Sequence, residues 1–341
     1  MENRNNNIDI IKAFACISVV LIHCYIPGSL GIYIKVINRY SVPFFYFISG
    51  YYFLKNNDIN FQRVLSKILH IIKIIFQSII FYAIFYIFYN KILNRFNWNL
   101  IIYFKNIATK GKILKFFISN EPFEYKHLWF ILALLYCYLL LFILKKINNS
   151  IIINNIFIIL MIIFGETGYI ILGEFSGYHL FKTYYKVDNA GNYIYFRNIF
   201  LFRSLPYFMI GMFIRINNIK IKLSLKKYLF IFIIGSICSC IEYSFINKSL
   251  NAYISTLIQL FSLIGLSTSD YKINNIFLIY IGKHLSLKIY IYHIAIKKIV
   301  DLIFLRLKFN NCYSFQFLII LPLCLLICFM LKIIESKLKK I

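Results

Sequence analysis

The sequence lacks the short motifs that mark catalysis on a nucleotide or an activated serine. It contains no Walker motif, no GxGxxG fingerprint and no GxSxG elbow, which removes the P-loop, dinucleotide-binding and usual serine-hydrolase classes. It is poor in acidic residues, with 12 Asp and Glu against 38 Lys and Arg and a formal net charge of +26. Its eight cysteines form no CxxC pair, and Cys238-Ser-Cys240 has no matching second half, so neither a zinc site nor a disulfide framework is expected. Seven of them, Cys16, Cys24, Cys137, Cys238, Cys240, Cys324 and Cys328, sit in apolar runs and read as small buried hydrophobes, while Cys312 falls in a loop. No internal repeat is visible, which withholds support from an inverted-repeat transporter. The N-terminus has no A-x-A-like cleavage site, and ionisable residues interrupt its apolar core, so it reads as a retained first span.

What the chain does have is apolar length. Hydrophobic residues make up 61% of its 341 positions and the mean hydropathy is +0.74, well above an ordinary soluble domain. The runs are continuous rather than alternating with period two, which excludes an outer-membrane barrel. The expected fold is an all-α integral membrane bundle of about ten transmembrane helices. The candidate spans are 8–27, 40–54, 68–89, 127–144, 151–172, 196–216, 228–246, 252–270, 275–297 and 313–333. The span at 40–54 is short and contains Pro43 and Gly50. The span at 275–297 carries Lys283, His284, Lys288 and His293, so it should line a cavity or consist of two half-helices meeting near Gly282.

Basic residues in short loops set the orientation. Lys55, Arg63 and Lys67, then Lys145 and Lys146, then Arg215, Lys220, Lys222, Lys226 and Lys227 share one side with the tail lysines, which places both termini in the cytoplasm. The segment Asn90–Lys126 is also basic, and its IIYFKNIATKGKILKFFI pattern reads as an interfacial amphipathic helix. Lysines clustered between hydrophobic runs suit an anionic membrane surface, and no nucleic-acid partner is expected. The lipid bilayer is the expected surrounding, and nothing in the chain fixes an oligomeric state.

The first span, IDIIKAFACISVVLIHCYIP, is unusual in carrying Asp9, Lys12 and His23. Ionisable groups at membrane depth are costly and tend to face a bundle interior or a wet cavity. Lys12 and His23 are eleven residues apart, about three helical turns, so they leave the same face roughly 16 Å apart along the axis. They cannot touch each other, but one long ligand can touch both. The alternative is a snorkelling lysine at a helix end and a histidine satisfied by a neighbouring helix.

Several stretches then line up in order. They are IDIIKAFACISVVLIHC, SVPFFYFISGYYF, HLWFILALLY, LPYFMIGMFI and SLKIYIYHIAI, running from residue 8 to 296. Together they resemble the acyltransferase 3 family of polytopic membrane O-acyltransferases, in the short form without an added hydrolase-like domain. The resemblance implies one membrane-embedded acyltransferase domain over 1–341, in a multi-pass protein of the bacterial plasma membrane. It implies no bound cofactor, acyl-coenzyme A (acetyl-CoA foremost) as donor substrate, and a cell-envelope glycan or lipid-linked sugar as acceptor. The family commonly has arginine eleven positions before its histidine; here that residue is Lys12, which keeps the charge but lacks the bidentate fork.

Acyl transfer to a hydroxyl needs a base, and a histidine with its unperturbed pKa near 6.5 suits it, so His23 is the candidate catalytic residue. Lys12 is the candidate for the phosphate end of the donor. Asp9 either orients Lys12 or caps the helix. Ser49, His127, Trp129, Arg203 and His293 are candidate substrate contacts. Their plainer readings are helix packing beside Gly50 for Ser49, an interfacial belt for His127 and Trp129, and an interhelical hydrogen bond for His293. Glu166 and Glu242 read as charge compensation for the cations. A polytopic transporter or translocator of a glycan precursor is the alternative function; repeat symmetry or matching interrupted helices would favour it.

Overall fold

Where no water reaches the backbone, every N–H and C=O must be satisfied within its own segment, so long apolar runs coil into helices. The computed structural model describes residues 6–53, 60–93, 109–123, 125–147, 184–186, 193–195, 198–246, 253–271, 273–308 and 316–338. In chain order the helices are α1 (Asn6–His23), α2 (Gly28–Ile37), α3 (Ser41–Tyr51), α4 (Phe61–Ile92), α5 (Lys110–Ile118) and α6 (Trp129–Ile147). They continue with α7 (Phe200–Arg203), α8 (Leu205–Ile216), α9 (Leu225–Ile246), α10 (Thr256–Thr268), α11 (Ile276–Tyr280), α12 (Ser286–Arg306) and α13 (Gln316–Leu338). A two-stranded antiparallel hairpin, Tyr184–Lys186 against Tyr193–Tyr195, pairs Tyr185 with Ile194. The sequence reading did not foresee it.

Among the described residues, five helices are long and apolar enough to cross a membrane: α1, α4, the run Lys126–Ile143 that leads through α6, α9 and α13. Two shorter apolar helices, α8 and α10, have 12 and 13 residues. The expected span at 151–172 lies outside the described residues, as do Glu166 and Cys312. The span expected at 40–54 is α3, only 11 residues long. The span expected at 196–216 is broken at Ser204 into α7 and α8, because Pro206 can occupy only the first turn of a new helix. Helix α4 runs 32 residues, about 48 Å, and so exceeds a hydrocarbon core of roughly 30 Å. Asn60 caps it, its side-chain oxygen accepting from the N–H groups of Gln62 and Arg63. In the segment expected to form an amphipathic helix, α5 is the described helical part.

The described residues fall into two compact units, Met1–Ile48 with Asn218–Ile341, and Ser49–Asn217. In the first, α1 is the inner helix. Of its residues 61% are buried, against 17% along the most apolar stretches of α9 and α13, whose side chains mostly face outward. Ala13, Cys16 and Val20 of α1, with Cys24 just past its end, meet Ile289, Ile296, Val300 and Phe304 of α12 and Ile320, Cys324 and Cys328 of α13. These are three-and-four-residue stripes, and the alanine and cysteines let the backbones approach closely. Cys16, Cys24, Cys137, Cys324 and Cys328 are free and buried, while Cys238 and Cys240 are half-buried.

Helices α11 and α12 are joined by a π-helical turn, Ile281–Leu285, and the polar span is continuous rather than two separate half-helices. Gly282 lies in that turn, where a side-chain carbon would overlap the backbone carbonyl of Asp9. A π turn adds one residue to the helical turn, and here it brings the backbone against the start of α1. On its other flank α1 is tied by Asn7, whose side chain donates to the carbonyls of Tyr271 (2.5 Å) and Leu266 (3.4 Å) and accepts from Ile273 N–H. Helices α9 and α10 form a hairpin with polar seams. Glu242 accepts from the N–H groups of Ile254 and Ser255 and from the Ser255 hydroxyl. It thus holds the backbone just ahead of α10, a role that the reading of it as charge compensation did not include.

In the second unit, Gly50 of α3 lies against the backbone of Phe208 in α8. Phe53, Tyr138 and Phe208 form an aromatic cluster beside it, with centroids 5.2–6.5 Å apart. A methyl group at Gly282 is expected to push α1 off the π turn and cost about 1–3 kcal/mol. Gly282→Ala should therefore lower the midpoint of thermal unfolding in detergent. An unchanged midpoint would show that α1 is not seated there.

Candidate active site

The first unit holds two polar constellations at opposite ends of α1. At the N-terminal end, Asp9 is 2% exposed and its Oδ1 lies 3.7 Å from Lys12 Nζ, one turn along the helix. Helix α1 begins at Asn6, so Asp9 lies in the first turn rather than at the N-cap, where a carboxylate faces the positive end of the peptide dipoles. Its buried charge is offset by the lysine and by that field. Lys12 is itself only partly exposed.

At the other end, His23 is the last residue of α1 and exposed. The His293 ring of α12 lies 5.1 Å from it, centroid to centroid, tilted by 46°. His293 is 1% exposed. Its Nδ1 is 3.1 Å from the Ile289 carbonyl and 2.8 Å from the Tyr290 carbonyl. Carbonyl oxygens only accept, so Nδ1 carries a proton, and in the neutral form of the ring Nε2 is the acceptor atom. One turn further along α12, Lys297 Nζ donates to Asp301 Oδ2 at 2.7 Å. Lys288, on the α12 stretch before His293, is ion-paired with Glu335 of α13.

The second unit gathers other candidates. The Arg203 guanidinium, at the end of α7, lies 3.3 Å from the centroid of the Trp129 ring at the start of α6. This stack was not visible as a pair in the sequence, where the two residues stand 74 positions apart. It places a half-buried cation over an electron-rich face. His127 packs edge-on against Tyr82 of α4, with centroids 4.5 Å apart. Ser49 is half-buried on α3, and its backbone carbonyl accepts from Tyr138 at 3.5 Å. Gly50 beside it carries the close helix contact. Thus the structure joins Asp9 with Lys12, His23 with His293, and Trp129 with Arg203. His127 meets Tyr82, and the Ser49 carbonyl meets Tyr138.

Among the described residues no cluster of three or more His, Cys, Asp or Glu is arranged to hold a metal ion. Sequence reasoning missed Asn7, whose bonding partners lie more than 250 residues away, and no local signal marks it.

A helical chain with membrane-length spans and with Asp9, Lys12 and His23 along one of them has the build of an integral-membrane enzyme or carrier. Its sequence matches the family model described as an acyltransferase domain over residues 5–333, and the chain belongs to this family, acyltransferase 3. The match spans both compact units. No curated protein and no solved structure matches the chain.

The guanidinium–indole stack is worth about 1–2 kcal/mol if it is desolvated. A double-mutant cycle of Trp129→Ala and Arg203→Ala on unfolding in mixed micelles should return a coupling energy of that order. Additive single effects would show that the two side chains do not interact.

Proposed function

We propose that the chain transfers an acyl group, acetyl in the first instance, from acyl-coenzyme A to a hydroxyl of a cell-envelope glycan or lipid-linked sugar. The observation that carries this reading is the polar face of α1. A lysine held by a buried carboxylate stands at one end and a histidine beside a second histidine at the other, in a chain of the acyltransferase 3 family. The separation of roughly 16 Å between Lys12 and His23 suits a donor that lies along the helix, phosphates at Lys12 and thioester near His23.

His23 takes the proton of the acceptor hydroxyl as its oxygen attacks the thioester carbonyl. The carbon–sulfur bond breaks, coenzyme A leaves as the thiolate, and the proton on His23 passes to that sulfur. The product is the O-acyl ester. Asp9 orients Lys12. His293, with its tautomer held by two backbone carbonyls, lines the acceptor side. Ser49, His127, Trp129 and Arg203 are further substrate contacts. In this reading 1–341 is one membrane-embedded acyltransferase domain of about ten spans with both termini cytoplasmic, in the bacterial plasma membrane. Coenzyme A then enters from the cytoplasm and the acyl group moves inward along α1.

His23→Ala should abolish transfer while the protein still inserts. Lys12→Ala should raise the KM for the donor, and Lys12→Arg should retain activity. Base-labile esters on whole-cell glycans, measured by mass spectrometry and proton NMR, should disappear both in a deletion strain and in the His23→Ala strain. Unchanged esters with an unmodified glycan accumulating inside the cell would instead favour a translocator.

A further inference from the structure

Helix α2 folds back over the end of α1. A side-chain carbon at Gly31 would overlap the carbonyl of Ile26, so α2 packs directly on the short link that follows His23. The chain then passes through a 3-10 turn, Asn38–Tyr40. There the Tyr40 hydroxyl meets the Ser18 hydroxyl of α1 at 2.9 Å, and both residues are buried. Gln259 of α10, fully buried, donates to the Ile37 carbonyl at 3.0 Å. The Asn38 side chain donates to the Ile34 carbonyl at 2.7 Å. Residues 34–40 are thus held in place by side-chain bonds to α1, to α10 and within the stretch itself.

This stretch carries Lys35 and Arg39, about one helical turn apart and both half-buried. On α12, Lys297 follows His293 by one turn, so it leaves the same face about 6 Å further along the axis. The charges of Arg39, Lys297 and Lys35 all act on His23, and those of Lys297, Asp301 and Lys35 act on Cys24 beside it. Cations from α2, from the 3-10 turn and from α12 therefore converge on the end of α1, around the candidate base. Asp301 is the carboxylate of this cluster, and its Oδ2 accepts from Lys297. Glu242 is engaged with the N–H groups of Ile254 and Ser255. The clustered side chains carry more positive than negative charge. Like charges held close in a half-buried setting repel, and an anion among them offsets that repulsion. Snorkelling carries each cation outward to water separately and does not bring three elements onto one imidazole.

Membrane depth assigns the kind of anion. Helix α1 has 18 residues, about 27 Å, close to the roughly 30 Å of a hydrocarbon core. Its last residue, His23, therefore stands near the lipid headgroups on the side where α1 ends, the level at which a lipid-linked sugar carries its phosphate. His23 is exposed, so a sugar hydroxyl can approach it. The step of about 6 Å from His293 to Lys297 is comparable to the width of one sugar ring. The donor phosphates belong to Lys12, roughly 16 Å away along α1, which leaves this cluster to the acceptor.

Resting on the acyltransferase reading above, we propose that the acceptor is a sugar carried on a lipid phosphate or diphosphate. Lys35, Arg39 and Lys297 bind that phosphate while the sugar hydroxyl meets His23. A neutral polymer glycan has no group for these cations. The shared chemistry is a phosphate at headgroup level, which a phospholipid of the bilayer also carries, so the two sources are tested apart.

The full chain is reconstituted in phosphatidylcholine nanodiscs. The acceptor is the glycolipid fraction of a strain deleted for the gene, used intact or after mild acid has split the sugar–phosphate bond. Transfer of labelled acetyl from acetyl-CoA is followed for the wild type, for Lys35→Ala/Arg39→Ala and for the charge-keeping Lys35→Arg/Arg39→Lys. The alanine variant should raise the KM for the intact acceptor about tenfold or more, with kcat and the KM for acetyl-CoA changed less than about twofold. On the acid-released sugar it should match the wild type, whose own KM there is about tenfold higher than on the intact acceptor. The charge-keeping variant should stay within about threefold of the wild type on the intact acceptor. Where the double alanine variant does not insert, Lys35→Glu alone should raise the same KM, and an unchanged value would overturn the proposal. Equal KM values for the alanine variant and the wild type on the intact acceptor would also overturn it and leave the acyltransferase reading intact. So would wild-type transfer to the released sugar, or to a phosphate-free polymer, with the KM of the intact glycolipid. If phosphatidylglycerol in the discs raises the unfolding midpoint of the wild type but not of the alanine variant, while their KM values for the acceptor agree, the cluster is a phospholipid site and the proposal falls. A wild type that transfers acetyl to no fraction and does not turn over acetyl-CoA would remove the acyltransferase reading itself, and the acceptor assignment with it.

Discussion

The first unit depends on placing charge inside an apolar helix bundle. Asp9 is almost fully buried on the innermost helix, and an isolated carboxylate there would be prohibitively costly. Three features offset that cost: Lys12 one turn away, the peptide dipoles of the first turn of α1, and tight backbone packing that excludes looser arrangements. The last of these requires glycine at 282, because the π turn brings its backbone onto the Asp9 carbonyl. Packing and electrostatics are therefore coupled at this end. The helix contact that fixes where α1 begins is also the contact that fixes where its ionisable face points.

From that fixed beginning the rest of α1 follows by geometry. A straight helix carries the orientation of its first turn to its last, so the face that bears Lys12 also bears His23 three turns on. Cys16, Val20 and Cys24 lie on the packed side, meeting α12 and α13. Their small volume keeps α12 close enough for His293 to stand beside His23. The His293 ring is held in one tautomer by carbonyls of its own helix, a local bond that needs no other partner to set it. A chemically useful pair of imidazoles is thus a consequence of helix packing at a distance from it.

These relations divide what could be read from the sequence from what could not. Length and apolarity locate α1, α4, α6, α9 and α13, because one segment suffices to specify a span. The one-face relation of Lys12 and His23 was legible for the same reason, since both residues sit on one helix. The shortness of α3 was legible too, in a run of few apolar residues with Pro43 and Gly50, but the break at Ser204 and the shortness of α8 and α10 were not, because an apolar run looks alike whether it forms one helix or two. Contacts between helices were invisible in principle. His23 meets His293 and Asn7 meets Tyr271 across more than 250 residues, and Trp129 meets Arg203 across 74. The hydrogen bonds from Ile254 and Ser255 to Glu242 were invisible for the same reason, since their partners lie on different elements.

The same division applies to the segment that leads into α9, which has more structure than its charges suggest. Lysines beside hydrophobic runs are ordinary in a membrane protein, and nothing in their spacing distinguishes Lys220 and Lys222 from the other loop lysines. What distinguishes them is Tyr228, a buried tyrosine that spends its hydroxyl on the backbone between and beside them instead of on solvent. A loop that only needed to be soluble would not need that bond. Holding it in one conformation lowers the entropy a ligand must remove on binding, and this is where pre-organisation has value. The fixed segment borders a cavity, and the cavity borders the anchored first turn of α1.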